Sequence, residues 1–435
     1  MDALQLSVQR ISSAYTKIMA QRWPKAKFGD FEAADYVRRI IEDVRMRGDK
    51  ALLEYTAKFD NVELPRSSIK VERSDVEKAY SNISGELVRA IEFAKKRIER
   101  FQNEILARLN FEYLDQGTRI RSCLRPIQRV GCYIPGGQAA YPSSVVMTVA
   151  PAKIAGVNDI ILCSPPRKNG EIDPAILVAA DICGSTEIYR VGGVAAIAAM
   201  AYGTETIRPV EKIVGPGGKY VTLAKMLVSK DVPIDFPAGP SEIVIYADET
   251  ADAKIVASDM ISQVEHSDGI AILVTISRRF AESVAEEINS LILSLKGDFE
   301  TIYQNLSKNC MLLVGDSVDE AVRFINDFAP EHLELMTEDA WSLSEKIRSS
   351  GLVTIGKYTP VAATDYCLGT NHILPTGGFS RVYSGLSILN FMRHLTIIEA
   401  NKETLLKCLE NVRVLAEAEG LINHALAISR RFDID

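Results

Sequence analysis

The chain has no long hydrophobic run. Its most continuous apolar stretch, around Val194 to Tyr202, is about half of what a membrane-spanning helix needs, so no transmembrane segment is expected. Positive charge is not in surplus either: 50 Lys and Arg stand against 57 Asp and Glu, for a formal net charge of −7. Without a basic face to gather phosphates, nucleic acid is not an expected partner and small molecules are. Met1 to Arg22 carries scattered charge but no apolar core followed by small residues, which predicts no export signal and a cytoplasmic location. The seven cysteines (Cys123, Cys132, Cys163, Cys183, Cys310, Cys367 and Cys408) include no close pair. They read as reduced, small apolar residues, with neither a disulfide framework nor a thiolate metal site expected. Internal repeats and low-complexity tracts are also missing. No G-x-G-x-x-G follows a strand, so the standard dinucleotide fingerprint is absent and composition alone leaves the cofactor open.

What is present is the balance of a folded protein, 47% hydrophobic and 25% charged, in a chain of 435 residues that is too long for one simple core. Apolar positions Val37, Ile40, Ile41 and Val44 recur at helical spacing, and Gly48-Asp49 ends that helix and opens another. Leu87, Ile91, Ala94, Ile98, Phe101 and Ile105 form the stripe of a long amphipathic helix. After Arg129 short β-branched runs alternate with helical stretches, which predicts βαβ units with strands at Val130–Ile134, Asp159–Cys163, Glu187–Val191 and Lys212–Val214. A second such series has strands at Ile243–Tyr246, Ile270–Ile276, Met311–Val314 and Leu352–Ile355, with a further one at Leu333–Met336. Two similar α/β halves are expected. Past Gly385 the pattern reads as a separate helical tail.

Histidine is scarce, with five in all: His266, His332, His372, His394 and His424. Ser262-Gln263-Val264-Glu265-His266 closes a predicted helix, and a spacing of three places Gln263 and His266 on one face, in reach of a single ion or as a solvated face. Pro330-Glu331-His332 sets a carboxylate beside an imidazole just before a strand, either an acid and base aimed at one cleft or an exposed charged pair. Thr364-Asp365-Tyr366-Cys367-Leu368-Gly369-Thr370-Asn371-His372 reads as a polar loop in which Asp365 could ligate a divalent cation or cap a turn. Glycines cluster at Gly131, Gly136-Gly137, Gly192-Gly193, Gly215-Pro216-Gly217-Gly218 and Gly239-Pro240, near the strand ends where open α/β sheets take ligands.

Together these segments resemble the histidinol dehydrogenase family over nearly the whole chain. The resemblance is carried by Tyr133-Ile134-Pro135-Gly136-Gly137, Ala201-Tyr202-Gly203-Thr204-Glu205-Thr206, Ile213-Val214-Gly215-Pro216-Gly217, Ala238-Gly239-Pro240-Ser241-Glu242, Pro330-Glu331-His332-Leu333, Gly369-Thr370-Asn371-His372 and Glu419-Gly420-Leu421-Ile422-Asn423-His424. It implies two Rossmann-like α/β domains: residues 29–129 with 237–381, carrying metal and catalytic residues, and residues 130–236 on the cofactor side. A helical N-terminal arm (1–28) and a helical C-terminal tail (382–435), exchanged in a homodimer, complete the expected architecture.

The same resemblance implies one zinc per subunit held by Gln263, His266 and Asp365 with His424 of the partner subunit, a donor set that suits a catalytic zinc. A neutral amide ligand is also compatible with manganese or cobalt. His332 is then the general base and Glu331 the residue that activates water, in an NAD-linked four-electron oxidation of L-histidinol through L-histidinal to L-histidine, a step of histidine biosynthesis. Ser241, His372 and the partner subunit's Glu419 line the implied substrate pocket, together with His332 and the metal ligands. Nicotinamide contacts fall at Tyr133, Ala195 and Gly218, the last two standing where the family usually has glutamine and asparagine. Thr364 replaces a glycine before the metal aspartate. The competing expectations are a paralogous dehydrogenase of another small polar alcohol, such as a sulfonated propanediol, and a catalytically silent metal-binding paralogue.

Overall fold

The β-branched runs that alternate with helical stretches after Arg129 do form parallel strands. The computed structural model describes residues 4, 6–22, 31–136, 139–266, 268–292, 294–295 and 298–432. Its strands are β1 (Val8–Arg10), β2 (Phe111–Asp115), β3 (Thr118–Pro126), β4 (Arg129–Tyr133), β5 (Asp159–Ser164), β6 (Glu187–Arg190), β7 (Lys212–Val214), β8 (Glu242–Ala247), β9 (Ile270–Thr275), β10 (Cys310–Val314), β11 (His332–Met336), β12 (Leu352–Ile355) and β13 (Met392–Ala400).

One unit, residues 1–102 with 127–391, holds two parallel sheets. The first has the order β6-β5-β4-β7 and the second β1-β10-β9-β8-β11-β12. Every residue of β4, β8 and β11 is buried, which is why these strands read as unbroken apolar runs rather than alternating ones: helices cover both faces. The alanine-rich Gly193–Tyr202 helix exposes almost none of its length, because its small side chains let Val37, Ile40 and Val44 of the Phe31–Arg47 helix join the same core cluster.

One of the segments that carry the family resemblance, Ala201 to Thr206, meets the Gly48-Asp49 helix junction here as a structural latch. The Asp49 N–H donates to Glu205 at 2.7 Å, and the Asp49 carboxylate accepts from Thr206 Oγ1 at 2.5 Å and Arg66 Nε at 2.7 Å. Gly48 has φ of 57°, which strains any other residue, and a Cβ there, 2.1 Å from a Glu205 carboxylate oxygen, would push aside the carboxylate that holds the Asp49 N–H.

The second unit, residues 103–126 with 392–435, contains the antiparallel sheet β13-β3-β2 and the helices Lys402–Ala418 and Ile422–Ser429. This corrects the purely helical reading of the chain past Gly385. Residues 392–400 form a nine-residue strand, paired with β3 from Met392↔Pro126 to Ala400↔Thr118. Its Thr396-Ile397-Ile398 run has the β-branched character of a strand, whereas the helical reading counted only apolar spacing. The sequence reading also passed over the β2–β3 hairpin, whose Gln116-Gly117 turn has φ of 45° and 83°, and over β1, which adds in parallel to the edge of β10 ahead of the Ile11–Arg22 helix.

Candidate active site

The four-stranded sheet presents the loops at its carboxyl edge, Pro135 after β4 and Pro216 to Gly218 after β7, to the amino edge of the six-stranded sheet, where Ser241 precedes β8 and Glu331-His332 opens β11. Two adjoining cavities lie between them, one of about 660 Å³ and one of about 220 Å³, which share Pro135, Tyr141, Gly217, Gly239, Ser241 and His266 as walls. The smaller is also lined by Glu331, His332, Asp365 and His372.

Glu331 is placed by its backbone. Ala329 ends the Val318–Phe328 helix in a left-handed turn (φ 51°), Pro330 redirects the chain, and the Gly351 and Leu352 N–H groups bind the Pro330 and Glu331 carbonyls at 3.0 and 2.9 Å. A Cβ on Gly351 would meet the Glu331 carbonyl at 2.6 Å, so only glycine permits that approach. The Glu331 carboxylate accepts from Ser241 Oγ at 2.7 Å and from the Glu242 N–H at 2.9 Å, and Ser241 Oγ accepts in turn from Gln263 Nε2 at 2.7 Å. With its nitrogen committed to Ser241, the Gln263 amide keeps its carbonyl oxygen as the end for a cation.

Glu331 and His332 are only 6% and 3% exposed, so they are not an exposed charged pair. His332 Nδ1 lies 3.5 Å from Glu331 and Nε2 lies 3.9 Å from Asp365 Oδ1. These are ion-pair distances short of hydrogen-bond geometry: both ring nitrogens and Asp365 Oδ1 are buried without a hydrogen-bond partner. Burial would lower the His332 pKa, but the charges of Glu331 and Asp365 outweigh it and carry it up to about 9. Asp365 sits in the Val361–Tyr366 helix, not in a polar loop as the sequence suggested: the first three residues of that stretch, Thr364 to Tyr366, are helical, with Thr364 buried and its hydroxyl bonded to the Val361 carbonyl at 2.7 Å, and the loop begins at Cys367. His372 Nδ1 pairs with the Asp365 carbonyl at 2.9 Å, which fixes the proton on that nitrogen, while burial lowers its pKa and keeps the ring neutral.

Gln263 is the last residue of the Ala253–Gln263 helix and His266 lies in the turn beyond it, exposed at the shared wall of the two cavities. The two are therefore joined by a turn, with the His266 N–H 3.4 Å from the Gln263 carbonyl, rather than by one continuous helical face. Among the described residues no group of three or more His, Cys, Asp and Glu is arranged to hold a metal ion. The donors nonetheless fit one: an oriented amide oxygen, an exposed imidazole and a buried carboxylate oxygen without a partner. Glu419 and His424 belong to the second unit, Glu419 closing the Lys402–Ala418 helix and His424 in the Ile422–Ser429 helix, and both are exposed there. His394 pairs with Ser122 Oγ at 3.1 Å in the antiparallel sheet of that same unit.

Of the three expected nicotinamide positions, Gly218 lines the larger of these two cavities, and Tyr133 and Ala195 line neither. Tyr133 is 5% exposed, its hydroxyl accepts from the Gly193 N–H at 3.2 Å, and burial pushes its pKa up to about 12; Ala195 is 4% exposed within the core. The sequence reading did not find what holds the Gly215–Gly218 loop in place. Lys225 Nζ donates to the Gly215 carbonyl at 2.7 Å, Asp235 accepts from the Gly215 N–H at 2.8 Å, and the two side chains form an ion pair at 2.5 Å, both under 6% exposed. A lysine inside an apolar helical stretch was the one available signal.

A family model described as histidinol dehydrogenase matches residues 24–432. Histidinol dehydrogenase of Methanosarcina mazei is 45% identical over 403 residues, 92% of each chain, and that of Methanocaldococcus jannaschii is 46% identical over 400 residues, 91% of each. The crystal structure of histidinol dehydrogenase from Elizabethkingia anophelis superimposes with a TM-score of 0.92 at 36% identity, covering 100% of this chain and 99% of that one.

Proposed function

Since the chain belongs to the histidinol dehydrogenase family of oxidoreductases of histidine biosynthesis, we propose that it carries out the NAD-linked, zinc-dependent oxidation of L-histidinol through L-histidinal to L-histidine. The observation that supports this reading above all is the hydrogen-bonded chain from Gln263 through Ser241 to Glu331, beside His332 and Asp365 at one small cavity. When bound, zinc at Gln263, His266 and Asp365, with His424 of the partner subunit, would anchor the substrate's amine and imidazole, and two molecules of NAD, one after the other, would each take up one hydride.

His332 takes the hydroxyl proton as the alcohol is oxidised to the aldehyde. It must be neutral to do so, and of the two carboxylates that favour its proton, Asp365 is the one whose charge a ligated cation offsets. Glu331, fixed by two donors, draws a proton from water as that water adds to the aldehyde carbon, and the proton that His332 took goes back to the carbonyl oxygen, giving a neutral hydrate. The hydrate gives a hydroxyl proton to His332 as the second hydride departs, and the acid so formed loses its last proton to water and leaves as the carboxylate. His372, held neutral, offers Nε2 to the substrate's polar groups, and the larger cavity adjoins on the side of Gly218, with room beside the reacting carbon for a nicotinamide.

A homodimer with exchanged tails, each subunit built of an arm (1–28), two α/β domains (29–129 with 237–381, and 130–236) and a tail (382–435), is part of the proposal. It is supported by the second unit's surface: Phe111, Leu114, Ile398, Leu415 and Ile422 are each more than half exposed, far more apolar surface than a lone unit keeps in water. The test is reduction of NAD and of NADP with histidinol before and after zinc is stripped. Turnover that disappears with zinc and returns on its addition is expected. Oxidation of a sulfonated propanediol but not of histidinol would replace the proposal with the paralogue reading, and zinc binding without any turnover would make the chain a silent relative.

A further inference from the structure

Behind the site, two carboxyl groups join the three elements that carry it, and the proposed chemistry uses neither. Glu334 is fully buried and stands two residues beyond His332 in β11, so both side chains leave the strand on the same face. One of its oxygens, Oε1, accepts the Val361 N–H at 2.8 Å, at the first residue of the helix that presents Asp365 one turn later. The other, Oε2, is buried without a donor and faces Asp259, whose Oδ2 is buried without a donor as well. Asp259 precedes Gln263 by four residues in the Ala253–Gln263 helix, which puts the two on one side of it. Two ionised carboxylates in so dry a place repel strongly, whereas a single proton between them turns the repulsion into a short O–H···O bond. Burial accordingly holds both groups above the usual carboxylate range.

We propose that Asp259 and Glu334 share one proton and act as a clasp that positions Gln263, His332 and Asp365 relative to one another, affecting the reaction only through those three residues. Helix 253–263, strand β11 and helix 361–366 each supply one group to the site, and the clasp touches all three one turn or two residues behind that group. The inference rests on the metal reading above.

The test compares zinc affinity, by competition with a chromophoric chelator, and kcat in full-length variants. Asp259→Asn and Glu334→Gln each replace the shared proton with an amide N–H aimed at the remaining carboxylate; both are expected to hold zinc and keep kcat within about threefold of the native chain. Asp259→Leu, similar in size but unable to bond, is expected to bind zinc about 10- to 100-fold more weakly, the range for loss of a group supporting a metal ligand. Native zinc affinity and kcat in Asp259→Leu, with only its melting temperature lowered, would overturn the clasp. Should Asp259→Leu not fold, a loss beyond tenfold in Asp259→Asn would overturn it instead. A native chain that neither binds zinc nor turns over would remove the metal reading, an outcome separate from failure of the clasp.

Discussion

Ser241→Ala isolates the hydroxyl that joins Gln263 to Glu331. Among the described residues the mutation removes the oxygen that accepts from Gln263 Nε2, on a residue 3% exposed, and a buried donor left without an acceptor costs about 1–3 kcal/mol. Glu331 suffers less, since the Glu242 N–H at 2.9 Å still holds it. Freed from Ser241, the Gln263 amide can turn over and present nitrogen, a donor, where oxygen stood. An outer hydrogen bond that orients a metal ligand is typically worth 10–100-fold in affinity, or about 1.4–2.8 kcal/mol at 1.4 kcal/mol per decade. Zinc dissociation constants for the native chain, Ser241→Ala and Ser241→Thr, measured by chelator competition and paired with urea unfolding, decide the matter. Expected are a 10–100-fold weaker constant in Ser241→Ala and recovery in Ser241→Thr, which keeps the hydroxyl. If zinc affinity is untouched while stability falls, Ser241 is a packing residue and the orientation argument is wrong.

His332→Ala is expected to lower kcat by about 10²–10⁴-fold, the usual share of a general base, with zinc content unchanged by atomic absorption; loss of zinc would move His332 into the metal shell. Gly218→Asn should be tolerated, because its backbone is extended (φ −67°) and a side chain there meets open space, and it should tighten NAD binding measured by fluorescence titration; unchanged affinity would place the cofactor elsewhere. Ala195→Gln is not its counterpart. At 4% exposure it overpacks the core and is expected to cost about 1–3 kcal/mol in urea unfolding, and a neutral result would mean the helix can shift. The Glu334 pKa is raised by burial and by Asp259, so the folded chain holds a proton the unfolded chain releases at lower pH. That stability is present below the ordinary carboxylate pKa and is lost as pH rises through the raised value. Glu334→Gln should flatten the fall in melting temperature over this window; parallel profiles for the two chains would show that Glu334 does not titrate there.

The parallel sheets were legible because their strands are buried on both faces and so appear as apolar, β-branched runs beside glycine-rich turns. The antiparallel sheet was not. Arg119 and Arg121 flank Ile120 in β3, and only Cys123 and Leu124 of its nine residues are buried, so the strand gives no apolar run to see. Glu331 and His332 could be picked out as an acid and a base, yet their burial comes from β8 and from residues about ninety positions away in sequence, as the bonds from Ser241 and Glu242 show. The helical setting of Asp365 was hidden because Thr364 and Asp365 favour turns when judged alone. Tyr133 and Ala195 carry the family pattern, but which face of the Gly193–Tyr202 helix meets the core depends on the Phe31–Arg47 helix packed against it, far away in the chain.

The groups proposed to react gather at the amino ends of β8 and β11, a full strand length from the turns that leave β9 and β10. A reporter grafted into either of those two turns is expected to leave turnover as it is, whereas the connection after β8 feeds the Ala253–Gln263 helix and so sets where Gln263 stands.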